Sequence, residues 1–461
     1  MNTKLPILEQ AAQFLSNLEY DHVPNEVVET SKRAILDYIG VAIPGSRQPV
    51  SENLFRWAGK RSWSSDATVI GREVRLDPEN AALVNAASGH ALDFDDTSWA
   101  TIGHPTTVIL PAILAIAEEH NFSGKRVLLA YIAGIEVTHK IADLMMPEAS
   151  ENGWHTTGIF YALGTAAAVC QLLQLDAEQT TQSLALSLSR SSGIRSNFGT
   201  QAKPYHAGMS AKAGLEAVTL TFDGVTSSPF ALEGQDGFIQ CFANACLAKK
   251  ARNMVRPIMF GSGWDIANRG FAFKKYPNCS GNHPACDVLL ELLSYREIPV
   301  EEIESIHCGV SLLGPKELVC HQPQSPVEAR FSIQFALASA LIFGRVTLEE
   351  FREEVILDPV VQSLMSRITM GVDDDLAKLG FIGTAPIKVW INLVSGEQIF
   401  LENNLARGNH EKPFSDEEFT NKFTESTKGI LSEDQAATLI NDLLQLDKVS
   451  SIRTVTSQLG R

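Results

Sequence analysis

The sequence predicts a mainly α-helical protein with a large helical domain and a smaller α+β domain. Over about the first 250 residues, apolar side chains recur at helical spacing, and after Gly270 strand-like segments alternate with helical ones. The tail, residues 416–446, is helical again. We therefore expect a helical domain built from both chain ends, residues 1–270 and 404–461, and an α+β domain over residues 271–403. The junction of two such domains favours a small-molecule cleft.

The helical part is predicted to form a layer packed around buried central helices, among them residues 159–173. Apolar spacing predicts helices at residues 25–41, 79–92, 106–120, 125–145, 159–173 and 211–222. The segment 159–173 is nearly all apolar or small, which is typical of a helix buried on every side. Its small residues from Gly164 to Ala168 allow neighbouring helices to approach closely.

The α+β part is predicted from strand and hairpin signals. Residues 304–313 mix β-formers and predict a strand, and residues 387–394 and 397–402 alternate around Ser395 and Gly396, which predicts a hairpin. Between them, residues 331–343 and 348–365 predict helices.

Composition limits the function classes. The chain has 461 residues, and 38 Lys and Arg against 54 Asp and Glu give a net charge of −16. With no long basic cluster, this predicts no nucleic-acid partner and no membrane partner. Seven cysteines without a CxxC pair, no signal-like N-terminus and no run of 18 apolar residues indicate a reduced, cytoplasmic enzyme.

The first candidate cluster, residues 90–105, crowds Asp93, Asp95 and Asp96 together after a helix. Carboxylates this close resist joint ionisation unless a cation, a donor or a proton intervenes. The alternative is a solvated helix end with an Asx turn. A divalent metal held by aspartate and His104 is a further alternative, but no ligand spacing supports it, and we predict no metal.

The second cluster places His155 just before the predicted buried helix of residues 159–173. The positive end of a helix dipole favours a neutral imidazole, which is the form that a general base needs. Alternatively, Thr156 and Thr157 are helix N-caps and His155 is only their neighbour.

The third cluster, residues 196–208, places Lys203 and His206 between a glycine-containing loop and a small-residue helix. In so acidic a chain, a cation beside backbone N–H donors is a candidate carboxylate site. The alternative is a solvated surface lysine.

The fourth cluster, residues 273–286, contains Lys274, Cys279 and His283 at the predicted domain junction. The spacing of Cys279, His283 and Cys286 fits no ordinary zinc site. The chain also lacks a G-x-S-x-G motif, a P-loop and a dinucleotide-binding glycine motif, so we predict no cofactor.

Taken together, these motifs resemble those of the MmgE/PrpD family. The matching phrases are HALDFDDT followed by GHP, GWH before a small-residue helix, K-P-x-H-x-G, FKKYP with a downstream His, and PVEARFSIQFALASAL at residues 326–341. They follow the family's order over nearly the whole chain. The family contains 2-methylcitrate dehydratases, cis-aconitate decarboxylases and iminodisuccinate epimerases. The resemblance implies a helical domain built from both chain ends, an α+β lid domain and a homodimer.

The resemblance also implies the site. By similarity to the decarboxylase branch, the active-site positions are Asp93, Thr97, His104, His155, Lys203 and Lys274. Two positions depart from that branch: Cys279 replaces a histidine, and the stretch at residues 317–321 lacks a tyrosine. The Ser-Asn-Phe-Gly-Thr run and the Cys-x-x-Asn-His pattern resemble the epimerase branch instead, although a tyrosine expected before Gly-Trp-His is absent.

These positions suggest acid–base chemistry at a carbon next to a carboxylate. We expect His104, His155, Lys203 and Asp93 to be catalytic and Thr97, Lys274, His206, Cys279 and His283 to bind substrate. The leading hypothesis is a cofactor-independent lyase, a dehydratase or decarboxylase, acting on a citrate- or aconitate-like polycarboxylate. The alternatives are an epimerase of an iminodisuccinate-like amino dicarboxylate and a non-catalytic carboxylate-binding protein.

Overall fold

The computed structural model describes residues 5–460. Helices dominate residues 5–270. These helices are α1 (Ile7–Asn17), α2 (Asn25–Gly45), α3 (Pro49–Gly59), α4 (Pro78–His90), α5 (Pro105–Glu119), α6 (Gly124–Ala142), α7 (Glu148–Glu151), α8 (Thr156–Leu173), α9 (Ala177–Leu188), α10 (Ala202–Phe222), α11 (Phe238–Phe242), α12 (Ala245–Arg252) and α13 (Asp265–Asn268). The prediction of a mainly helical protein is confirmed.

Helix α8 is a buried central helix, as predicted. It packs against α5, α6, α9 and α10. A Cβ added at Gly164 would lie 2.2 Å from the hydroxyl oxygen of Thr138 on α6, so only glycine permits this approach. By length and composition α8 is also apolar enough to cross a membrane, but 94% of it is buried inside the protein, which is the pattern of a core helix.

The second part of the chain combines a sheet with short helices. Its helices are α14 (His283–Leu293), α15 (Gly314–Glu317), α16 (Pro326–Ala329), α17 (Ile333–Phe343), α18 (Glu353–Ile356), α19 (Pro359–Met365) and α20 (Asp374–Ala377). Its strands are β1 (Ile303–Val310), β2 (Ile368–Val372), β3 (Ile387–Leu393) and β4 (Gln398–Asn403). The strand order is β2-β1-β3-β4, with β1 parallel to β2 and antiparallel to β3, and β3 antiparallel to β4.

Alternate residues of β3 are buried, and the strand packs against α14. The predicted hairpin is confirmed, and Gly396 in its turn has a φ of +87°, a value that favours glycine. The prediction of a helix over residues 348–365 is wrong. This segment is broken into α18 and α19, because Asp358 caps a new helix that starts at Pro359. The sequence reading also missed β2.

The tail forms α21 (Asp416–Thr427), α22 (Glu433–Leu444) and α23 (Arg453–Leu459) rather than one helix. A capping box at Ser415 starts α21, and another at Ser432 starts α22. Both helices pack against α2, so their apolar side chains join the core of the first 270 residues. A second core forms between the sheet and the helices around it.

Candidate active site

The loop between α4 and α5 carries the first cluster, and it is buried. Asp93, Asp95 and Asp96 are 3%, 0% and 1% exposed, so the alternative of a solvated helix end is wrong. Asp93 has a φ of +49° and Ile102 a φ of +50°, which is strained backbone for residues other than glycine. Such strain concentrates at functional sites, because the surrounding structure must hold it in place.

Two lysines from distant segments converge on Asp93. The ammonium nitrogen of Lys203 lies 2.6 Å from Oδ1 of Asp93, and that of Lys274 lies 2.9 Å from the same oxygen. Lys274 also donates to the backbone carbonyl of Asp93 at 2.8 Å. Lys203 is 4% exposed and lies in the first turn of α10 rather than in a loop, so the alternative of a solvated surface lysine is wrong.

One carboxylate shared by two ammonium groups leaves a net positive charge in a buried place. Burial alone would raise the pKa of Asp93, but the charges of Lys203 and Lys274 hold this pKa well below its usual range. Burial lowers the pKa of Lys274, and the carboxylates of Asp93 and Asp95 outweigh that effect and raise it. Two ammonium groups held at one carboxylate oxygen can also hold an anion.

His104 presents one ring nitrogen to this site. Its Nδ1 lies 3.0 Å from the backbone carbonyl of Asp96 and 3.3 Å from a carboxylate oxygen of Asp95. Because a carbonyl only accepts, Nδ1 carries the proton, and Nε2 is left as a lone-pair nitrogen 3.9 Å from Asp93. Burial lowers the pKa of His104 to about 3, so the ring is neutral and suited to accept a proton.

His155 lies at the N-cap position of α8 and faces the same cavity. Its Nδ1 is 3.0 Å from Nδ1 of His206, and its Nε2 is buried without a hydrogen-bond partner. Burial, then the charge of Lys203, lowers its pKa well below the usual range, so this ring is also neutral. Thr156 and Thr157 do not cap the helix; they bond instead to Ile102 and His104.

One cavity collects most of the predicted residues. Its wall contains Asp93, Thr97, Trp99, Ile102, His104, His155, Phe198, Lys203, Lys274, Cys279, Ser280, Glu317 and Phe331. Thr97 and Ala272 exchange backbone hydrogen bonds of 2.9 and 2.8 Å, which brings Lys274 to Asp93. The Thr97 hydroxyl donates to the Ala272 carbonyl at 3.3 Å.

Two predicted binding residues lie outside this wall. His206 reaches the cavity only through His155. His283 lies in an adjoining cavity beyond Lys274, where its Nε2 is 3.3 Å from the Asn278 carbonyl. The structure therefore places neither residue where it would contact a substrate in the main cavity.

Sequence reasoning did not assign six residues of the wall to the site: Trp99, Ile102, Phe198, Ser280, Glu317 and Phe331. The rings of Phe198 and Phe331 lie 5.3 and 5.0 Å from the Lys203 ammonium nitrogen and bracket it as cation–π partners. The indole N–H of Trp99 is buried without an acceptor. Glu317, whose pKa burial raises to about 7, lies 3.9 Å from the Cys279 sulfur. Trp99 lies in the first cluster and Phe198 in the third, but nothing in those segments indicates that their side chains face the cavity.

The same cluster also brings four metal-capable groups within 4.8 Å of one another: His90, Asp93, Asp95 and His104. Asp93 is already paired with two ammonium groups, and Asp95 lies 2.8 Å from Nδ1 of His90. A divalent cation placed there would be repelled by both lysines. The two neighbouring lysines therefore disfavour a metal at this set.

The fold is mainly helical with a small four-stranded sheet, and one buried cavity gathers Lys203, Lys274, His104 and His155. A family model of the MmgE/PrpD N-terminal domain matches residues 9–248, and the model of the C-terminal domain matches residues 276–446. The chain belongs to the MmgE/PrpD family, as its motifs predicted, and is an enzyme of that type.

Curated relatives match over most of the chain. Cis-aconitate decarboxylase from Homo sapiens is 29% identical, covering 98% of this chain and 94% of that protein. Cis-aconitate decarboxylase from Aspergillus terreus is 24% identical, covering 100% and 97%. A 2-methylcitrate dehydratase from Cupriavidus necator is 23% identical, covering 79% and 75%. These names support a lyase-type function.

Proposed function

We propose that the protein is a cofactor-independent lyase, a dehydratase or decarboxylase, acting on a citrate- or aconitate-like polycarboxylate. The observation that carries the proposal is the convergence of two ammonium groups and two neutral imidazoles on one buried cavity. Lys203 and Lys274 meet at Asp93, and the free Nε2 atoms of His104 and His155 belong to the same wall.

The lysines supply binding and charge stabilisation. A substrate carboxylate bound by Lys203 or Lys274 also receives the charge that develops on its neighbouring carbon during reaction. Charged donors fixed in a site with little water stabilise such charge strongly, because they need no reorganisation. Asp93 holds the nitrogens of both lysines at one place.

The imidazoles move the proton. In a dehydration, a neutral imidazole takes the proton from the carbon next to the carboxylate, and this proton, directly or relayed through the second imidazole, goes to the departing hydroxyl, which leaves as water. In a decarboxylation, loss of carbon dioxide leaves the carbanion, and an imidazole delivers the proton to it. His104, with its lone pair at Nε2, is assigned the base, and His155 is assigned the second proton-transfer group.

An epimerase is the second candidate, and Glu317 favours it. A carboxylate in the cavity wall repels a purely anionic substrate but attracts an amino or imino nitrogen, which an amino dicarboxylate carries. Epimerisation uses the same proton removal and returns the proton to the opposite face.

One experiment separates the candidates. Purified protein is incubated with a panel of dicarboxylates and tricarboxylates, and with amino dicarboxylates, in deuterium oxide, and the products are identified by NMR. A lyase gives a product lacking water or carbon dioxide, whereas an epimerase incorporates deuterium without loss of any group. Binding of the acids with neither product nor exchange would contradict both and leave a non-catalytic binding protein.

A further inference from the structure

Arg330 is a buried cation without a partner. It follows α16 directly and is 3% exposed, and its Nε is buried without a hydrogen-bond acceptor. Across residues 5–460, no carboxylate forms an ion pair with its guanidinium group. The centroid of the Phe351 ring lies 6.0 Å from its guanidinium carbon. Burying a charge without a partner is costly, so this arrangement stabilises nothing by itself.

Arg330 belongs to the wall of a second cavity that adjoins the main one. This cavity is lined by Gln48, Pro49, Val50, His90, Ala91, Asp93, Thr200, Gln201, Lys203, Pro204, Val327, Arg330 and Phe331. It shares Asp93, Lys203 and Phe331 with the main cavity. The backbone carbonyl of Arg330 also accepts from the N–H of Cys279 at 2.9 Å, which ties the two walls together.

The second cavity is suited to an anion. Among the described residues, Asp93 is the only carboxylate on its wall, and that carboxylate is already shared by Lys203 and Lys274. The guanidinium of Arg330 adds a positive charge that no ion pair within residues 5–460 neutralises, and only the charge of Asp93 acts on it from a distance. Its planar fork matches a carboxylate through two parallel hydrogen bonds.

We propose that Arg330 forms a second carboxylate subsite, which binds a carboxylate of the substrate remote from the one held at Lys203 and Lys274. The two cavities meet at the Asp93–Lys203 pair, so one ligand with several carboxylates spans both. This inference rests on the proposed function and sharpens it, because a substrate with a single carboxylate would leave Arg330 unpaired.

The subsite and a purely structural role predict opposite effects on stability. If Arg330 stabilises the fold through Phe351, Arg330→Met lowers the thermal midpoint. If Arg330 awaits a ligand, Arg330→Met replaces an unpaired buried charge by an apolar side chain, and the midpoint of the ligand-free protein stays the same or rises.

The test measures binding of tricarballylate, a saturated tricarboxylate, by calorimetry together with the thermal midpoint. Arg330→Met should weaken tricarballylate binding about 10- to 100-fold, the usual loss for a charged hydrogen-bonded contact, without lowering the midpoint. Arg330→Lys should give an intermediate affinity. Unchanged affinity in Arg330→Met, or no binding of tricarballylate to the wild type, would overturn the subsite.

Arg367→Met is the matched control. Arg367 also has a buried Nε without a partner, but its Nη1 donates to the carbonyls of Val300 and Ile303 and it lies on neither cavity wall. This variant should lose stability and keep its affinity for tricarballylate. A midpoint for Arg330→Met as low as that for Arg367→Met would also overturn the subsite.

A second variant keeps the test decisive if Arg330→Met does not fold. Gln201 is an exposed residue on the wall of the same cavity, and its side chain accepts one hydrogen bond from Asn53. Gln201→Glu adds a negative charge beside the subsite and should weaken tricarballylate binding severalfold at an unchanged midpoint; unchanged binding contradicts the proposal.

If binding depends on Arg330 but no polycarboxylate is converted, the proposed function fails and the subsite stands.

Discussion

Two buried charged clusters of this protein differ in how completely they are paired. The α6 cluster joins Glu136, Lys140, Asp265 and Arg269. Glu136 accepts backbone N–H bonds from Gly261 at 2.9 Å and from Asp265 at 3.2 Å, while Asp265 pairs with Lys140 at 3.3 Å and with Arg269. The neighbouring His139 has an unbonded Nδ1, 4.0 Å from Asp265.

The second cluster, around the two cavities, includes His90, His155 and Arg330 and leaves several polar atoms without a hydrogen-bond partner. Nε2 of His155, Nε2 of His90 and Nε of Arg330 are all buried without hydrogen-bond partners, and each of these residues lies on a cavity wall. A paired cluster fixes the chain, whereas an unpaired cluster costs stability and is retained where a ligand completes it. The comparison therefore distinguishes a structural site from a functional one by the buried polar atoms that have no hydrogen-bond partner.

The sharpest way to break this comparison is His155→Ala. We expect kcat to fall by about 10²- to 10⁴-fold, because a positioned proton-transfer group contributes that much. Steady-state kinetics on the substrate found by NMR measures the loss, and the thermal midpoint should stay near that of the wild type. Wild-type turnover would remove His155 from the proposed chemistry.

Asp265→Asn should do the reverse in the α6 cluster. The side chain keeps its shape but loses the charge that pairs with Lys140 and Arg269, so the free energy of unfolding should fall by about 1–3 kcal/mol. Denaturant unfolding measures this, and kcat should remain within about twofold of wild type, since no atom of the cavity is touched. A large loss of kcat with intact stability would show that the two clusters are coupled.

His104 of the cavity and Glu136 of the α6 cluster should also respond to pH with opposite sign. Burial lowers the pKa of His104 to about 3, so the unfolded chain binds the proton first and stability falls as the pH drops from about 6.5 towards 3. Burial raises the pKa of Glu136 from 4.5 to about 7, so the folded chain holds this proton and stability falls as the pH rises through that window.

Each group changes the slope by up to about 1.4 kcal/mol per pH unit. His104→Asn should therefore lose less stability than wild type on acidification, and Glu136→Gln should lose less on raising the pH from 4.5 to 7. Denaturant unfolding across this pH range tests both variants. Parallel pH profiles for wild type and either variant would contradict the assigned burial effect.

The sequence could predict residues that lie in recognisable motifs, but not all of their neighbours. Asp93, His104, His155, Lys203 and Lys274 were each predicted from a local pattern, and the structure brings all five to one cavity. Glu317 and Phe331 could not be predicted as wall residues, because tertiary packing, of α15 against β2 and of α16 against α18, decides where they lie. The break between α18 and α19 was missed although Asp358 and Pro359 mark it, because the apolar spacing continues across them.

The smallest expected effect concerns Glu317→Gln, and its sign identifies the substrate class. Glu317 has a pKa of about 7 and lies on the cavity wall, so it gains a negative charge as the pH rises through neutrality. For a polycarboxylate, that charge repels the substrate, and Glu317→Gln should lower KM about fivefold above pH 7, on the order of 1 kcal/mol. For an amino dicarboxylate, the same change removes an attraction and should raise KM instead. Measuring KM for the wild type and for Glu317→Gln at pH 6 and pH 8 decides between the two. The two proteins should have similar KM values at pH 6, where Glu317 is largely protonated. If the two proteins also have the same KM at pH 8, Glu317 does not face the substrate.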